Sequence, residues 1–360
     1  MKATQQLHEL GQSLWLDNIT RDMLGDGTLR RYIDELSISG LTSNPTIFDK
    51  AISGSDTYDE HISELQAKGL EPEQTFFELA IADLRDAAGM FEQINERTDR
   101  VDGWVSLEVS PLLADDAKAT IEQVAELHRR ADCNVFIKIP GTTAGREAIE
   151  ESIFAGTPVN VTLLFSTDQY LAAAEAYMRG VERRIEAGLD PAVPSVASIF
   201  VSRWDVAVAE EASGELRNRL GVAVATDSYR AYRELLDSER WQRLANEGAR
   251  PQRLLFASTG TKDPDASDVL YVEALAAPFT INTMPDKTLL AFAEHGEVGE
   301  PLPADGGGAE SLLGEFDDAG IDVTALAERL QREGAEAFDK SWKELLQSID
   351  EKSRKLAAAG

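Results

Sequence analysis

Along the chain, short runs dominated by apolar residues alternate with longer stretches in which apolar residues recur every three or four positions. The first pattern suits buried strands and the second amphipathic helices. The short runs predict eight strands, over 13–18, 39–43, 104–109, 135–139, 159–165, 195–201, 253–258 and 278–283. The helical periodicity predicts helices over 72–96, 115–130, 144–154, 167–187, 204–220, 226–247, 267–276 and 286–295, with Ser166 and Asp286 at two of their starts. Residues 303–311, with three consecutive glycines, read as a flexible linker, because the lysine of a phosphate-binding P-loop is missing. A long helix over 323–356 follows. Its Phe338, Trp342 and Leu345 share helical spacing and predict a face packed on the rest of the molecule.

Strands regularly followed by helices predict an α/β fold with a parallel sheet. Eight such units favour a closed (β/α)8 barrel of TIM type, treated as one domain over 1–360. An open doubly wound sheet is the alternative, but no GxGxxG follows the first strand.

In a barrel, chemistry gathers where strands end at the C-terminal mouth. There the predicted strands present Asp17 and Asn18, then Thr42, Ser43 and Asn44, then Glu108, then Lys138. The later strands add Asn160, Thr162 and Ser166, then Ser198, Phe200 and Arg203, then Ser258 through Lys262, and finally Asn282 and Thr283. Lys138 is the most informative of these, because Asn134-Val135-Phe136-Ile137-Lys138-Ile139-Pro140 is otherwise apolar. Burying an ammonium costs several kcal/mol unless it is paired or loses its proton. A desolvated lysine is the amine that adds to carbonyls and forms Schiff bases, and nearby carboxylates can move the protons that such chemistry requires. A lysine that snorkels to water, or an ion-pair cluster that only braces the barrel, would give the same pattern.

Composition narrows the partners. With 43% hydrophobic residues a large core is possible, and no run of about twenty apolar residues predicts a membrane span. No signal-peptide pattern is legible, so the expected location is cytoplasmic. A single cysteine, Cys133, and four scattered histidines predict no disulfide and no metal site. Sixty-four acidic against 35 basic residues leave a net charge of −29, which argues against nucleic acid or an anionic membrane as a partner. Phosphorylated substrates remain compatible, provided a few cations are gathered locally.

The segments Ser39-Gly40-Leu41-Thr42-Ser43-Asn44-Pro45, Asn134 through Thr142 and Val159-Asn160-Val161-Thr162-Leu163-Leu164-Phe165-Ser166 together resemble the transaldolase family. The likeness is to its longer bacterial subfamily, the form also found fused to glucose-6-phosphate isomerase. It runs from about Leu14 to the C-terminal helix. The resemblance implies transfer of a dihydroxyacetone unit through a lysine imine, within the pentose phosphate pathway. The donors would be sedoheptulose 7-phosphate or fructose 6-phosphate, and the acceptors erythrose 4-phosphate or glyceraldehyde 3-phosphate. Lys138 would be the imine lysine and Asp17 the acid/base at the donor hydroxyl, while Glu108 would shuttle protons through a water together with Thr162. Asn44, Asn160 and Ser198 would bind the donor, Phe200 would line the same pocket, and Arg203 would hold the phosphate. No cofactor is implied, and a monomer or homodimer is expected.

One departure stands out. Where shorter relatives carry Ser-Phe-Arg after the seventh strand, this chain reads Ser258-Thr259-Gly260-Thr261-Lys262, leaving Lys262 as the substitute phosphate ligand. A fructose 6-phosphate aldolase would share the lysine but release dihydroxyacetone. Such relatives are shorter and typically have tyrosine at Phe200 and glutamine at Glu108. A barrel that binds sugar phosphates without catalysis would not require a buried lysine beside two carboxylates.

Overall fold

A computed structural model describes residues 1–212 and 214–359. Eight parallel strands run in the order β2-β1-β8-β7-β6-β5-β4-β3. They are β1 (Ser13–Asp17), β2 (Ile38–Thr42), β3 (Val105–Glu108), β4 (Val135–Pro140), β5 (Val159–Leu164), β6 (Ser195–Phe200), β7 (Gln252–Ala257) and β8 (Ile281–Met284). The two ends of this sheet meet where Gly40 of β2 bridges Trp104 just before β3, with the Leu41 N–H donating to the Trp104 carbonyl at 2.9 Å and the Gly103 N–H to the Ser39 carbonyl at 2.8 Å. The result is a (β/α)8 barrel, with each predicted strand found to within a few residues.

The two-residue strand period divides the side chains between two cores. On β4, Val135, Ile137 and Ile139 join the core under the outer helices, while Phe136 belongs to the core inside the barrel. Lys138 therefore points inward, two residues above Phe136. The same parity turns Asp17 inward above Trp15, and Glu108 inward between the helix-facing Leu107 and Val109. A floor of Trp15, Phe136 and Trp104, with ring centroids 6.0 and 4.5 Å apart along the chain of contacts, fills the barrel beneath these polar residues.

Closure depends on the missing side chain at position 40. A Cβ there would lie 2.7 Å from both the Trp104 carbonyl oxygen and the Trp15 Nε1. Neither can easily yield, because Trp15 donates through Nε1 to the Asp102 carboxylate at 2.8 Å. Gly40→Ala is expected to lower stability by about 3 kcal/mol, as overpacking a rigid interior does. The shift of the denaturant midpoint checks it.

Several helices depart from the expectation. The helix predicted over 204–220 is only Ser202–Ala207, then a turn and a 3-10 turn at Gly214–Leu216, with Ser213 outside the described residues. Gly214 and Asn218 are left-handed, and Asp205 accepts from the Leu220 and Gly221 N–H groups, so that a new helix starts there. That helix, Leu220–Asp237, ends where Ser238 turns extended and caps Glu239–Asn246, splitting the segment expected to run over 226–247. The helix over 267–276 shortens to Leu270–Ala274, while Asp286–His295 stands as predicted. Of the segment read as linker, 303–308 is turn and coil, but Ala309 already begins the helix Ala309–Asp318. Pro45–Gly54 and Asp59–Ala67 are among the helices that the apolar pattern missed.

The long helix Val323–Ala359 crosses the barrel mouth. Its Trp342 packs against Phe76 and Phe77, with ring centroids 5.0 and 5.6 Å away. Farther along, the Lys352 ammonium donates to the carbonyls of Ile52 and Ser55 at 2.8 and 2.5 Å and pairs with Asp59 at 2.7 Å, fastening the helix to Pro45–Gly54. Among the described residues, no helix is long and apolar enough to cross a membrane.

Candidate active site

Strand register assembles the polar cluster. Asp17 lies beside Thr42 across β1 and β2, Glu108 beside Lys138 across β3 and β4, and Lys138 beside Asn160 across β4 and β5. Lys138 is 6% exposed. Its Nζ donates to the Glu108 carboxylate at 3.3 Å and reaches across to the Ser43 carbonyl at 3.0 Å. The Thr42 hydroxyl donates to the Asp17 carboxylate at 2.8 Å and sits 2.7 Å from the Thr283 hydroxyl, which fixes Asp17 on β1, two strands around the barrel from Glu108.

Burial dominates the electrostatics. It raises the Asp17 carboxyl above its usual range, against the pull of the Lys138 charge and the Thr42 hydrogen bond. Burial likewise raises Glu108, and there too Lys138 opposes it by charge and by hydrogen bond. Two carboxylic groups that hold protons more tightly than usual therefore stand near one amine, an arrangement suited to giving and taking protons.

A cavity of about 320 Å³ opens above this cluster. Asp17, Asn44, Lys138, Thr162, Ser198, Phe200, Arg203, Ser258 and Lys262 all line it. Asn44 caps the helix Pro45–Gly54 by accepting from the Ile47 N–H at 3.0 Å, which turns its amide toward the cavity wall. The Thr162 hydroxyl is buried and has no hydrogen-bond partner in the protein. Asn160 and Glu108 do not line the cavity. Asn160 is fully buried one layer below, accepting from the Ser198 hydroxyl at 2.8 Å and donating to Ser106 at 3.3 Å. Glu108 instead borders a void of about 10 Å³ roofed by Ala335 and Phe338, which is room for about one water.

Arg203 follows β6 on the short helix Ser202–Ala207. Its guanidinium carbon lies 5.2 Å from the Phe200 ring centroid and 5.9 Å from that of Phe338. Burial lowers its basicity, offset in part by the charge of Glu108, and among the described residues no side chain accepts a hydrogen bond from it. A planar cation held between two rings with its donors unspent is prepared for an anion. Lys262 and Lys50 stand on the same cavity. In a chain with net charge −29, this gathers positive charge in one place.

The strand ends led to most of these residues, but not to all. Thr42 and Thr283 occupy predicted strand ends without an assigned role, yet they orient Asp17. Thr46 and Lys50 come from a helix that the apolar pattern did not reveal, and Phe338 and Ser341 from the distant C-terminal helix. A Thr46–Ser341 hydrogen bond of 2.9 Å joins these two elements at the rim. Among the described residues, no group of three or more His, Cys, Asp or Glu is placed to hold a metal ion.

Residues 14–349 match the family model described as Transaldolase/Fructose-6-phosphate aldolase. A protein of Thiobacillus denitrificans named Transaldolase is 42% identical over 358 residues, spanning 97% of this chain and 100% of its own. A Transaldolase of Thermobifida fusca is 42% identical over 96% of both chains. One from Mycobacterium bovis is 43% identical over 95% of this chain and 94% of its own.

Proposed function

Because the chain belongs to the transaldolase family and is a transferase with transaldolase activity, we propose that Lys138 carries a dihydroxyacetone unit as an imine between two sugar phosphates. The observation that carries this reading is the buried Lys138 amine, bonded to Glu108 and open to a cavity that it shares with Asp17 and Arg203.

The ketose phosphate enters with its phosphate on Arg203 and Lys262. The Lys138 amine adds to the ketone carbon, and the carbinolamine loses water to give the imine. Glu108 takes and returns the protons of this step through a water, with the Thr162 hydroxyl, which has no partner within the protein, as that water's second contact. Asp17 then removes the proton from the hydroxyl two carbons beyond the imine carbon. The bond between the hydroxyl-bearing carbon and its neighbour next to the imine carbon breaks, its electron pair moves toward the imine to form the enamine, and the hydroxyl-bearing carbon leaves as the aldehyde of an aldose phosphate. An acceptor aldose phosphate enters, the enamine attacks its aldehyde carbon, and Asp17 returns the proton. Hydrolysis of the new imine frees Lys138. Asn44 and Ser198 contact the donor hydroxyls, and Phe200 walls the pocket. Asn160 acts from below by orienting Ser198.

Sedoheptulose 7-phosphate and fructose 6-phosphate as donors, in a cytoplasmic monomer or homodimer, complete the reading. With fructose 6-phosphate alone, release of glyceraldehyde 3-phosphate is expected to stop after about one equivalent per active site, since the enamine has nowhere to deliver its carbons. Erythrose 4-phosphate should restore continuous turnover. Sustained release without an acceptor would identify an aldolase instead.

A further inference from the structure

The C-terminal helix touches the reaction centre at a place where the backbone is strained. Along β5 the register with β6 slips: Val161 pairs with Ala197, but Leu164 pairs with Ile199, so three residues advance on β5 against two on β6. The extra residue forms a β-bulge, and Leu163 in it adopts a left-handed φ of 59°. A leucine in that conformation is unfavourable and persists only where its surroundings impose it. The bulge sits next to Thr162, a residue that lines the cavity with Lys138 and whose buried hydroxyl has no hydrogen-bond partner. Strand alternation is interrupted there, so the direction of the Thr162 hydroxyl depends on how the bulge is held.

Gln331, on the helix Val323–Ala359, holds it. Its Nε2 donates to the Leu163 carbonyl at 2.9 Å and approaches the Gly141 carbonyl at 3.4 Å. Gly141 is the residue after β4, and its N–H donates to the Thr162 carbonyl at 2.8 Å. One side-chain amide thus ties the carbonyl just after Thr162 to that of Gly141 on the neighbouring strand, whose own N–H holds the Thr162 carbonyl. Gln169 works from the other end, accepting from the Phe165 N–H at 2.7 Å and donating to the Ala327 carbonyl of the same C-terminal helix at 3.5 Å. The close approach is maintained at Gly334, where a Cβ would come within 3.1 Å of Leu163.

We propose that Gln331 is a positioning residue for the reaction, aiming the Thr162 hydroxyl at the Lys138 centre by fixing the Leu163 bulge. The C-terminal helix is then part of the catalytic apparatus as well as a cover over the mouth. This rests on the role given to Thr162 above, and a mutant cycle separates the two ideas. Gln331→Met keeps the length of the side chain and removes its donor, while Thr162→Val removes the hydroxyl and keeps the shape. In the full-length protein, with fructose 6-phosphate and erythrose 4-phosphate, Gln331→Met should lower kcat by about tenfold and leave KM within about twofold. Added to Thr162→Val, it should cost less than about twofold more, because the group it positions is already gone. Lys352→Ala loosens the same helix far from the bulge, so it should lower the unfolding midpoint with kcat unchanged. The inference is overturned if Gln331→Met retains kcat, costs the same factor in the Thr162→Val background, or is matched by Lys352→Ala. If Thr162→Val itself retains kcat, the proton-transfer role of Thr162 fails, and the inference falls with it.

Discussion

Lys138→Met abolishes transfer, with a loss on the order of 10⁴-fold or more, as removal of a covalent nucleophile does. Methionine matches the lysine stem in length and is at home among Phe136 and its neighbours, so the barrel should still form. The change leaves the Glu108 carboxyl without the ammonium that opposes its desolvation. Glu108 then stays protonated to higher pH rather than standing as an unpaired buried charge. Circular dichroism and the unfolding midpoint report the fold separately from activity. The positive counterpart is chemical capture. Borohydride added with fructose 6-phosphate should reduce the imine and leave a three-carbon mass increment on the peptide containing Lys138. The cavity offers two further amines, Lys50 and Lys262, which makes the site of the increment decisive. A tag on either of those, or turnover that survives in the methionine variant, would refute Lys138 as the carrier.

How much of this was legible in the sequence depends on the distance over which each feature is determined. Strands in a parallel barrel are buried on both faces and are written as compact apolar runs, so all eight were found. Polar residues interrupting those runs had to face the barrel interior, and Asp17, Glu108, Lys138 and Thr162 were legible for that reason. Helix ends were harder. Ser238 breaks one predicted helix and Asp205 starts another by capping groups fifteen and sixteen residues away, which local periodicity does not record. The rim of the site was illegible for a related reason. Phe338 and Ser341 meet Phe200, Arg203 and Thr46 only because the final helix folds back over the mouth, at sequence separations of well over a hundred residues. Asn160 shows the converse. The resemblance implies a donor contact for it; the structure places it buried beside Lys138 in register, off the cavity lining and accepting from Ser198.

Arg203→Met is the second large effect, and it falls on binding. The guanidinium lies beside the rings of Phe200 and Phe338 without a protein hydrogen-bond acceptor, so its desolvation, offset in part by the Glu108 charge, is compensated further when an anion arrives. A charge-assisted, two-pronged contact to phosphate in such a setting is worth about 2–3 kcal/mol. Its loss should raise KM for fructose 6-phosphate by about 30- to 150-fold. Activity toward unphosphorylated fructose, weak to begin with, should barely change. Methionine keeps bulk between the rings, so that collapse of Phe338 into the gap does not mimic the loss of charge. Arg203→Lys should recover only part of the affinity, since a point charge keeps the attraction but not the planar fork. Lys262→Ala provides the graded comparison. As a cation on the same cavity, reached from the loop after β7, it should raise KM for the phosphorylated donor by a smaller factor. If Arg203→Met impaired phosphorylated and unphosphorylated sugars alike, the arginine would be bracing the aromatic wall instead of binding phosphate. If Lys262→Ala left KM unchanged, the phosphate would rest on Arg203 without it, and Lys50, the remaining cation on the cavity wall, would be the next to replace.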